Sequence, residues 1–298
     1  NISMTGIAEY DLQSLAPRAA APGRPAGTGG RITIRAMHPL LGFDFHPVIG
    51  HRGASGLAPE NTVASFELAV EQGADGIEFD VRLSSDGVPM VFHDPVLGRT
   101  SDGNGALRDR TAAALSRLDA GYRFTSDGGS YPWRGRGVRI PRLQEVLERL
   151  PTTPLLIELK VAEAAEPTKR LLQEFSAGSR TLVASFLDDA LDPFRDGSFR
   201  TSASRRGITR LAIRSCLGLA APRLRDQAYA VPERYKDRIP VATERFIRTA
   251  RQAGCPVHVW TVNEPARAAD LWRRGAAGMI SNFPALILAE RQRLFPTP

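Results

Sequence analysis

The segment GIEFDV, Gly76 to Val81, sets two carboxylates into a run of strand-forming residues. Ile77, Phe79 and Val81 are apolar and β-prone. The two-residue period of a strand then places Glu78 and Asp80 together on the opposite face. LLIELKV repeats the device: Leu155, Ile157 and Leu159 share one face, and Leu156, Glu158 and Lys160 share the other. On a strand with one wet face these charges would meet water. On a strand covered on both faces they would be buried, and buried carboxylates have to be neutralised. Two arrangements would do so. Glu78, Asp80 and Glu158 could ligate one hard divalent cation, Mg²⁺ or Ca²⁺, or Lys160 could pair with one carboxylate on the barrel floor.

Two histidines end short apolar runs nearby, His51 in VIGHRG and His93 in VFHD. A lone histidine is most often structural, but two beside an acidic cluster suit a general acid and a general base. With a Lewis-acid metal and the cations Arg52 and Lys160, the set suits attack at an anionic phosphorus centre. His38 and His46 read as structural or exposed, and His258 as a packing group or one that supports the site from behind.

The elements that would position these groups alternate along the chain. VIGHRG, GIEFDV, PLLIELKV, TLVASF, FRTSAS, QAYAVPE, CPVHVWTV and AAGMISN read as short strands. NTVASFELAVEQG is a helix with Asn61 or Thr62 as its cap, a buried stripe of Val63, Phe66, Ala69 and Val70, and Gly73 at its end. IPRLQEVLERLP is a helix with Pro141 at its first position. Further helices fall at AEPTKRLLQEFSAG, GITRLAIRSCLGL, ERFIRTARQAG, EPARAADLWRRG and PALILAERQRL. About eight βα units in roughly 250 residues predict an α/β TIM (β/α)8 barrel. There is no GxGxxG or Walker A loop to favour an open doubly wound sheet. In such a barrel Glu78, Asp80 and Glu158 face the axis near the C-terminal strand ends, where barrel active sites form. Residues 94–139 lack a strong period and read as an insertion with one short helix. Residues 1–45 read as a partly linker-like N-terminal extension, Ala-, Pro- and Gly-rich over 1–30, with a short strand possible in RITIRAMHPLLGFDFHP. The barrel domain is expected over 46–298.

Composition narrows the partners. The 298 residues carry 39 Lys and Arg against 32 Asp and Glu, a net charge of +7, which favours an anionic partner. No basic block and no aromatic–basic interleaving is present, which argues against nucleic acid. No apolar run approaches the ~18 residues of a membrane span, and no signal-peptide core is visible. The chain starts at Asn1, so the sequence leaves the compartment open. Cys216 and Cys255, the two cysteines, are expected as buried free thiols rather than a disulfide.

HRGASGLAPENT, GIEFDVRLSSDGVPMVFHD, IELK and VHVWTVN, in this order and spacing, resemble the glycerophosphodiester phosphodiesterase family over about residues 45–285. The resemblance implies a TIM barrel with a small insertion after the second barrel strand. It implies metal-dependent hydrolysis of a small-molecule glycerophosphodiester to glycerol 3-phosphate and an alcohol. His51 and His93 would be the acid–base pair, and Glu78, Asp80 and Glu158 the ligands of one divalent cation. Arg52 and Lys160 would hold the phosphate, and Trp260 would pack against substrate. Glu60 and Asn61 match the family's PENT motif, Asn61 reading as a turn and cap and Glu60 as a group behind the metal ligands. The final motif departs from the family's acidic TDRPD-like run: here it is Ser281-Asn282-Phe283-Pro284-Ala285. That departure is expected to lie outside the chemistry. Aromatic residues of the insertion are expected to join Trp260 in setting the alcohol preference. Relatives with the same motifs act on lysophospholipids or sphingomyelin, and a metal-stabilised binding barrel without catalysis is the reading from outside enzymes.

Overall fold

The computed structural model describes residues 38–222 and 224–296. The linker-like stretch 1–30 and residues 31–37 of the strand expected after it lie outside the described residues. In chain order the elements are β1 (Val48–His51), α1 (Val63–Glu71), β2 (Gly76–Leu83), β3 (Pro89–Val91), α2 (Ala112–Leu115), α3 (Leu143–Arg149), β4 (Leu155–Leu159), α4 (Ala165–Glu174), β5 (Thr181–Ala184) and α5 (Asp188–Leu191). They continue with β6 (Arg200–Thr201), α6 (Arg205–Cys216), β7 (Tyr229–Pro232), β8 (Arg234–Tyr235), β9 (Ile239–Pro240), α7 (Glu244–Gln252), β10 (Val257–Trp260), α8 (Pro265–Arg273), β11 (Gly278–Ser281) and α9 (Pro284–Leu294).

Eight of these strands run parallel in the order β6-β5-β4-β2-β1-β11-β10-β7. A parallel bridge between Ser202 and Ala228 joins the two ends, and the Ala203 N–H donates to the Ala228 carbonyl at 2.9 Å. The sheet therefore closes as a (β/α)8 barrel. Both strand faces are covered, which answers where alternation sends the charges. Ile77, Phe79, Val81, Leu155, Ile157 and Leu159 pack outward against Phe66, Leu143, Leu147 and Leu172 of the helices. Inside, Leu40, Ile49, Leu156, Leu182, Ala228 and Ile280 fill the axis. Leu40 arrives from the turn Pro39–Leu41, so the chain just before β1 contributes a side chain to the barrel interior.

One local alternative is resolved and three expectations are corrected. In α1, Thr62 is the N-cap, its hydroxyl accepting from the Ser65 N–H. The buried face of that helix centres on Ser65, Phe66 and Ala69, which leaves Val70 exposed at its edge. Helix α3 starts at Leu143 rather than Pro141, because residues 141–142 stay extended: the Pro141 carbonyl accepts from the Val91 N–H, and Arg142 bridges to Met90. Both cysteines are free, but only Cys255 is buried; Cys216, at the end of α6, is exposed. The β8–β9 hairpin after β7 was not anticipated, since two two-residue strands leave no periodic trace.

The long excursion after β2 carries its own small core. Strand β3 turns back antiparallel onto β2, and Met90, Phe92, Leu97, Leu107, Leu115 and Ile140 cluster there. Among the described residues no helix is long and apolar enough to cross a membrane.

Candidate active site

Register brings the charged residues together. His51 lies level with Glu78 across β1–β2, and Asp80 level with Glu158 across β2–β4. Glu78 and Asp80 are 4% and 1% exposed, and ligand oxygens of Glu78, Asp80 and Glu158 all lie within 4.8 Å of one another. At an effective dielectric of about 20, two like charges at that separation repel by roughly 3–4 kcal/mol. Three such pairs approach the stability of a whole domain, so positive charge must enter the cluster.

Part of it comes from the protein. Lys160 Nζ sits 2.9 Å from Asp80 Oδ1 and 2.7 Å from Glu158 Oε1. It bridges two carboxylates, not the single one that the ion-pair alternative supposed. Arg52 Nε lies 3.2 Å from Asp80 Oδ2. Burial alone would raise the Asp80 pKa, but Lys160, Arg52 and a hydrogen bond from Asn61 outweigh it and hold the carboxyl well below its ordinary range. Glu78 has the opposite fate. It accepts the Arg52 backbone N–H at 2.9 Å but has no Lys or Arg side chain paired with it among the described residues. Burial, then Asp80, push its pKa well above the ordinary value. Glu158 is raised as well, chiefly by burial.

This arrangement fits a divalent cation. With all three ionised, Glu78, Asp80 and Glu158 would carry −3 against the +2 of Arg52 and Lys160, and the excess would fall on Glu78, the buried carboxylate with no cationic partner, whose raised pKa a bound cation would lower again. The donors are all carboxylate oxygens, which suits Mg²⁺ or Ca²⁺.

The HRG turn positions two of these groups. Arg52 adopts φ 54° and Gly53 φ 84°. A Cβ on Gly53 would meet the Ser65 carbonyl at 2.5 Å, so only glycine lets the turn close against the start of α1. The turn is pinned by the Asn61 N–H and the Ser65 hydroxyl, which both donate to the Arg52 carbonyl, at 3.1 and 2.9 Å.

Both histidines are oriented through Nδ1. His51 Nδ1 lies 2.6 Å from Asn282 Oδ1, which also accepts from the Ser55 hydroxyl at 2.9 Å. That partner puts the proton on Nδ1 and leaves Nε2, 4.0 Å from Glu78 Oε2, as the free nitrogen. Burial, then the charge of Arg52, lower the His51 pKa to about 4. His93 Nδ1 lies 2.6 Å from Asp94 Oδ1, and its pKa is lowered too, mainly by burial.

One cavity of about 130 Å³ collects all the expected groups: His51, Arg52, Glu78, Asp80, His93, Glu158, Lys160 and Trp260. Its other wall is neutral: Ala184, Ser185, Phe186, Ser202, Ala203 and Ala230. The aromatic partner of Trp260 is Phe186, 6.2 Å away and edge-on. It comes from the end of β5, so the expected contribution of insertion aromatics to this wall is not found. His258, one turn of the pleat below Trp260, is fully buried, and neither ring nitrogen has a hydrogen-bond partner among the described residues.

Two functional positions were misjudged from sequence. Asn61 is not the cap: its amide grips Asp80, Nδ2 donating to Oδ2 at 2.8 Å and Oδ1 accepting from the Asp80 N–H at 3.2 Å. The SNFPA motif reaches the candidate site, because Asn282 holds His51. Its loop is set in turn by Asn263, whose Oδ1 accepts from the Asn282 N–H at 2.9 Å. Glu60 stands behind Asp80 through Arg52, which it binds together with Arg99.

The family model described as Glycerophosphoryl diester phosphodiesterase family matches residues 51–286. A glycerophosphodiester phosphodiesterase of Caldanaerobacter subterraneus subsp. tengcongensis is 30% identical over 251 residues, covering 81% of this chain and 96% of the relative. An Oleispira antarctica phosphodiesterase, solved in complex with the product sn-glycerol-3-phosphate, superposes with a TM-score of 0.64 at 27% identity, over 82% of this chain and 96% of that one. The glycerophosphoryl diester phosphodiesterase domain of a Mycobacterium tuberculosis protein gives a TM-score of 0.72 at 23% identity, over 83% of this chain and 99% of that one, a likeness of fold.

Proposed function

This chain belongs to the glycerophosphoryl diester phosphodiesterase family, and from that premise we propose a metal-dependent hydrolase formed by residues 46–298. It would convert a glycerophosphodiester, such as glycerophosphocholine or glycerophosphoethanolamine, to glycerol 3-phosphate and an alcohol. The observation that carries the reading is one cavity where two buried carboxylates and a half-buried third, two cations and two Nδ1-anchored histidines converge.

Glu78, Asp80 and Glu158 would hold one divalent cation, Mg²⁺ or Ca²⁺. When bound, it would supply a Lewis acid at a phosphate oxygen. The protein's −1 at this cluster then becomes +1, matched to the single negative charge of a phosphodiester. Arg52 and Lys160, held by Asp80 at 3.2 and 2.9 Å, stand ready to share charge that develops on the phosphoryl oxygens. The free Nε2 atoms of His51 and His93 divide the proton transfers. One, neutral, takes at Nε2 the proton of the attacking water or glycerol hydroxyl, and the other, entering the step as the imidazolium, gives its Nε2 proton to the leaving alkoxide. Trp260 and Phe186 give the substrate an apolar wall opposite the charges.

The test is release of glycerol 3-phosphate from glycerophosphocholine by wild type and His51→Ala in the presence of Mg²⁺ or Ca²⁺. Wild-type turnover that falls by about 10²-fold or more in the variant supports the reading. Equal turnover by both removes His51 from the chemistry, and no turnover on any glycerophosphodiester removes the activity.

A further inference from the structure

The segment after His93 holds an arginine that the proposed chemistry does not use. Arg99 Nη1 and Nη2 fork onto Glu60 Oε2 and Oε1 at 2.7 and 2.6 Å, and Arg99 Nε donates to Asp94 Oδ2. All three guanidinium nitrogens are engaged, by two carboxylates from different loops. Each carboxylate uses its remaining capacity on a residue of the cavity. Asp94 Oδ1 holds His93 Nδ1 at 2.6 Å, and Glu60 Oε1 also accepts from Arg52 Nη1 at 2.8 Å. A continuous path therefore runs His93–Asp94–Arg99–Glu60–Arg52–Asp80 around the mouth.

The local fold explains why Arg99 stands where it does. Leu97 is fully buried in the insertion's core. Ser101, also fully buried, closes the turn by donating its N–H and hydroxyl to the Leu97 carbonyl at 3.2 and 2.9 Å. Arg99 is the middle residue of that five-residue turn, flanked by two anchored neighbours. Burial alone would raise the pKa of both carboxylates, but hydrogen bonds from Arg99 outweigh it and keep Glu60 and Asp94 ionised. An ionised Asp94 is what fixes the proton of His93 on Nδ1 and turns Nε2 toward the cavity.

We propose that Arg99 is a positioning residue that sets the orientation of His93 through Asp94 and of Arg52 through Glu60, so that the insertion completes the active site without touching substrate. The proposal rests on the phosphodiesterase reading above. Its geometry differs from a surface ion pair, whose worth is small, because one planar fork serves two carboxylates and each carboxylate serves a site residue. Lysine could not reproduce it: an ammonium offers no fork to Glu60 while also reaching Asp94.

The experiment measures kcat and KM on glycerophosphocholine for wild type, Arg99→Gln, Arg99→Lys, His93→Asn and the Arg99→Gln/His93→Asn double variant. Melting temperatures and ¹⁵N NMR of the imidazole nitrogens accompany them. Arg99→Gln is expected to lower kcat by about 10–100-fold, the range for partners that orient a site residue, with the melting temperature within a few degrees of wild type. Arg99→Lys should recover only part of the loss. In the His93→Asn background the same substitution should cost several-fold less than in wild type, since only the branch through Glu60 to Arg52 remains to be lost. The NMR signals should show His93 protonated on Nδ1 in wild type and a mixture of tautomers in Arg99→Gln. That readout stands even if the substrate class is wrong, which separates failure of this inference from failure of the activity. The inference is overturned by an Arg99→Gln enzyme within threefold of wild type, by losses that multiply in the double variant, or by an unchanged His93 tautomer.

Discussion

The two walls of the active-site cavity are built on opposite principles. The wall from β1, β2, β4 and the loop after β3 carries every charge: His51, Arg52, Glu78, Asp80, His93, Glu158 and Lys160. The wall from β5, β6, β7, β10 and β11 is small, neutral or aromatic: Ala184, Ser185, Phe186, Ser202, Ala203, Ala230, Trp260 and Ile280. The charged wall is held from behind by polar side chains, two of them from other loops. Asn61 grips Asp80, Asn282 grips His51, and Asp94 grips His93. The neutral wall needs less support, since packing and backbone bonds suffice: the Ser202 hydroxyl accepts the Ala230 N–H at 2.9 Å, and the Ser185 hydroxyl donates to the Leu159 carbonyl at 2.7 Å. On the proposed function, the division would assign chemistry to one half of the barrel and substrate shape to the other.

The largest effect should come from the centre of the charged wall. Asp80→Asn leaves Lys160 and Arg52 facing a neutral amide, and it removes one oxygen anion from the cation site. Turnover is expected to fall by about 10³-fold. Activity within tenfold of wild type would show that the charge count does not govern the site.

One layer back, Asn282→Ala should cost about 10–100-fold in kcat, because His51 loses the acceptor that fixes its tautomer. Asn282→Asp keeps the acceptor and should restore most of the rate. It also adds a negative charge that favours the imidazolium, so the acid limb of the rate profile should move to higher pH than in wild type, where burial and Arg52 lower His51 to about 4. A shift to lower pH would contradict this sign.

On the neutral wall, Phe186→Ala and Trp260→Ala are expected to raise KM by about tenfold while kcat changes by less than about threefold. A kcat loss as large as that of Asn282→Ala would break the division between the two walls.

Turnover should respond least to His258, which lies on the neutral side yet titrates. Burial lowers its pKa from 6.5 to about 4, and lowers that of His38, near the same end of the barrel, similarly. The folded protein needs these rings neutral, while the unfolded chain protonates them near 6.5. Between those values the unfolded state binds more protons. Stability is therefore complete above pH 6.5 and is lost as pH falls toward 4, by on the order of 3 kcal/mol per histidine. His258→Leu should flatten that fall in the melting temperature without changing turnover. Parallel melting profiles for wild type and variant would sink the assignment.

The same division decides what could be read from sequence. Carboxylates alternating with strand-forming apolar residues are costly unless something uses them, so Glu78, Asp80 and Glu158 stand out. Strand spacing also predicts the barrel that brings them together. Ala184, Ser202 and Ala230 carry no such signal, because small residues in short strands look like any core. Asn61 was hidden by an ordinary role, since asparagine before a helix usually caps it; here Thr62 caps and Asn61 is free to bind Asp80. Asn282 was hidden by distance. Its partner lies 231 residues away, and the contact exists only because closure of the barrel sets β11 beside β1. Local periodicity reports what a strand buries, not which loops meet once the sheet has closed.

The central claim is that the buried carboxylates form a working cation site rather than a self-neutralised cluster. The most direct measurement is glycerol 3-phosphate release from glycerophosphocholine by wild type and Glu158→Gln, first in chelator and then across a titration of Mg²⁺ and of Ca²⁺. The account predicts no appreciable turnover in chelator, recovery of the wild type by one of the two ions, and a need for about 10-fold or more of that ion in Glu158→Gln. Turnover that persists undiminished in chelator would contradict it, and would leave Lys160 and Arg52 as the groups that neutralise the carboxylates.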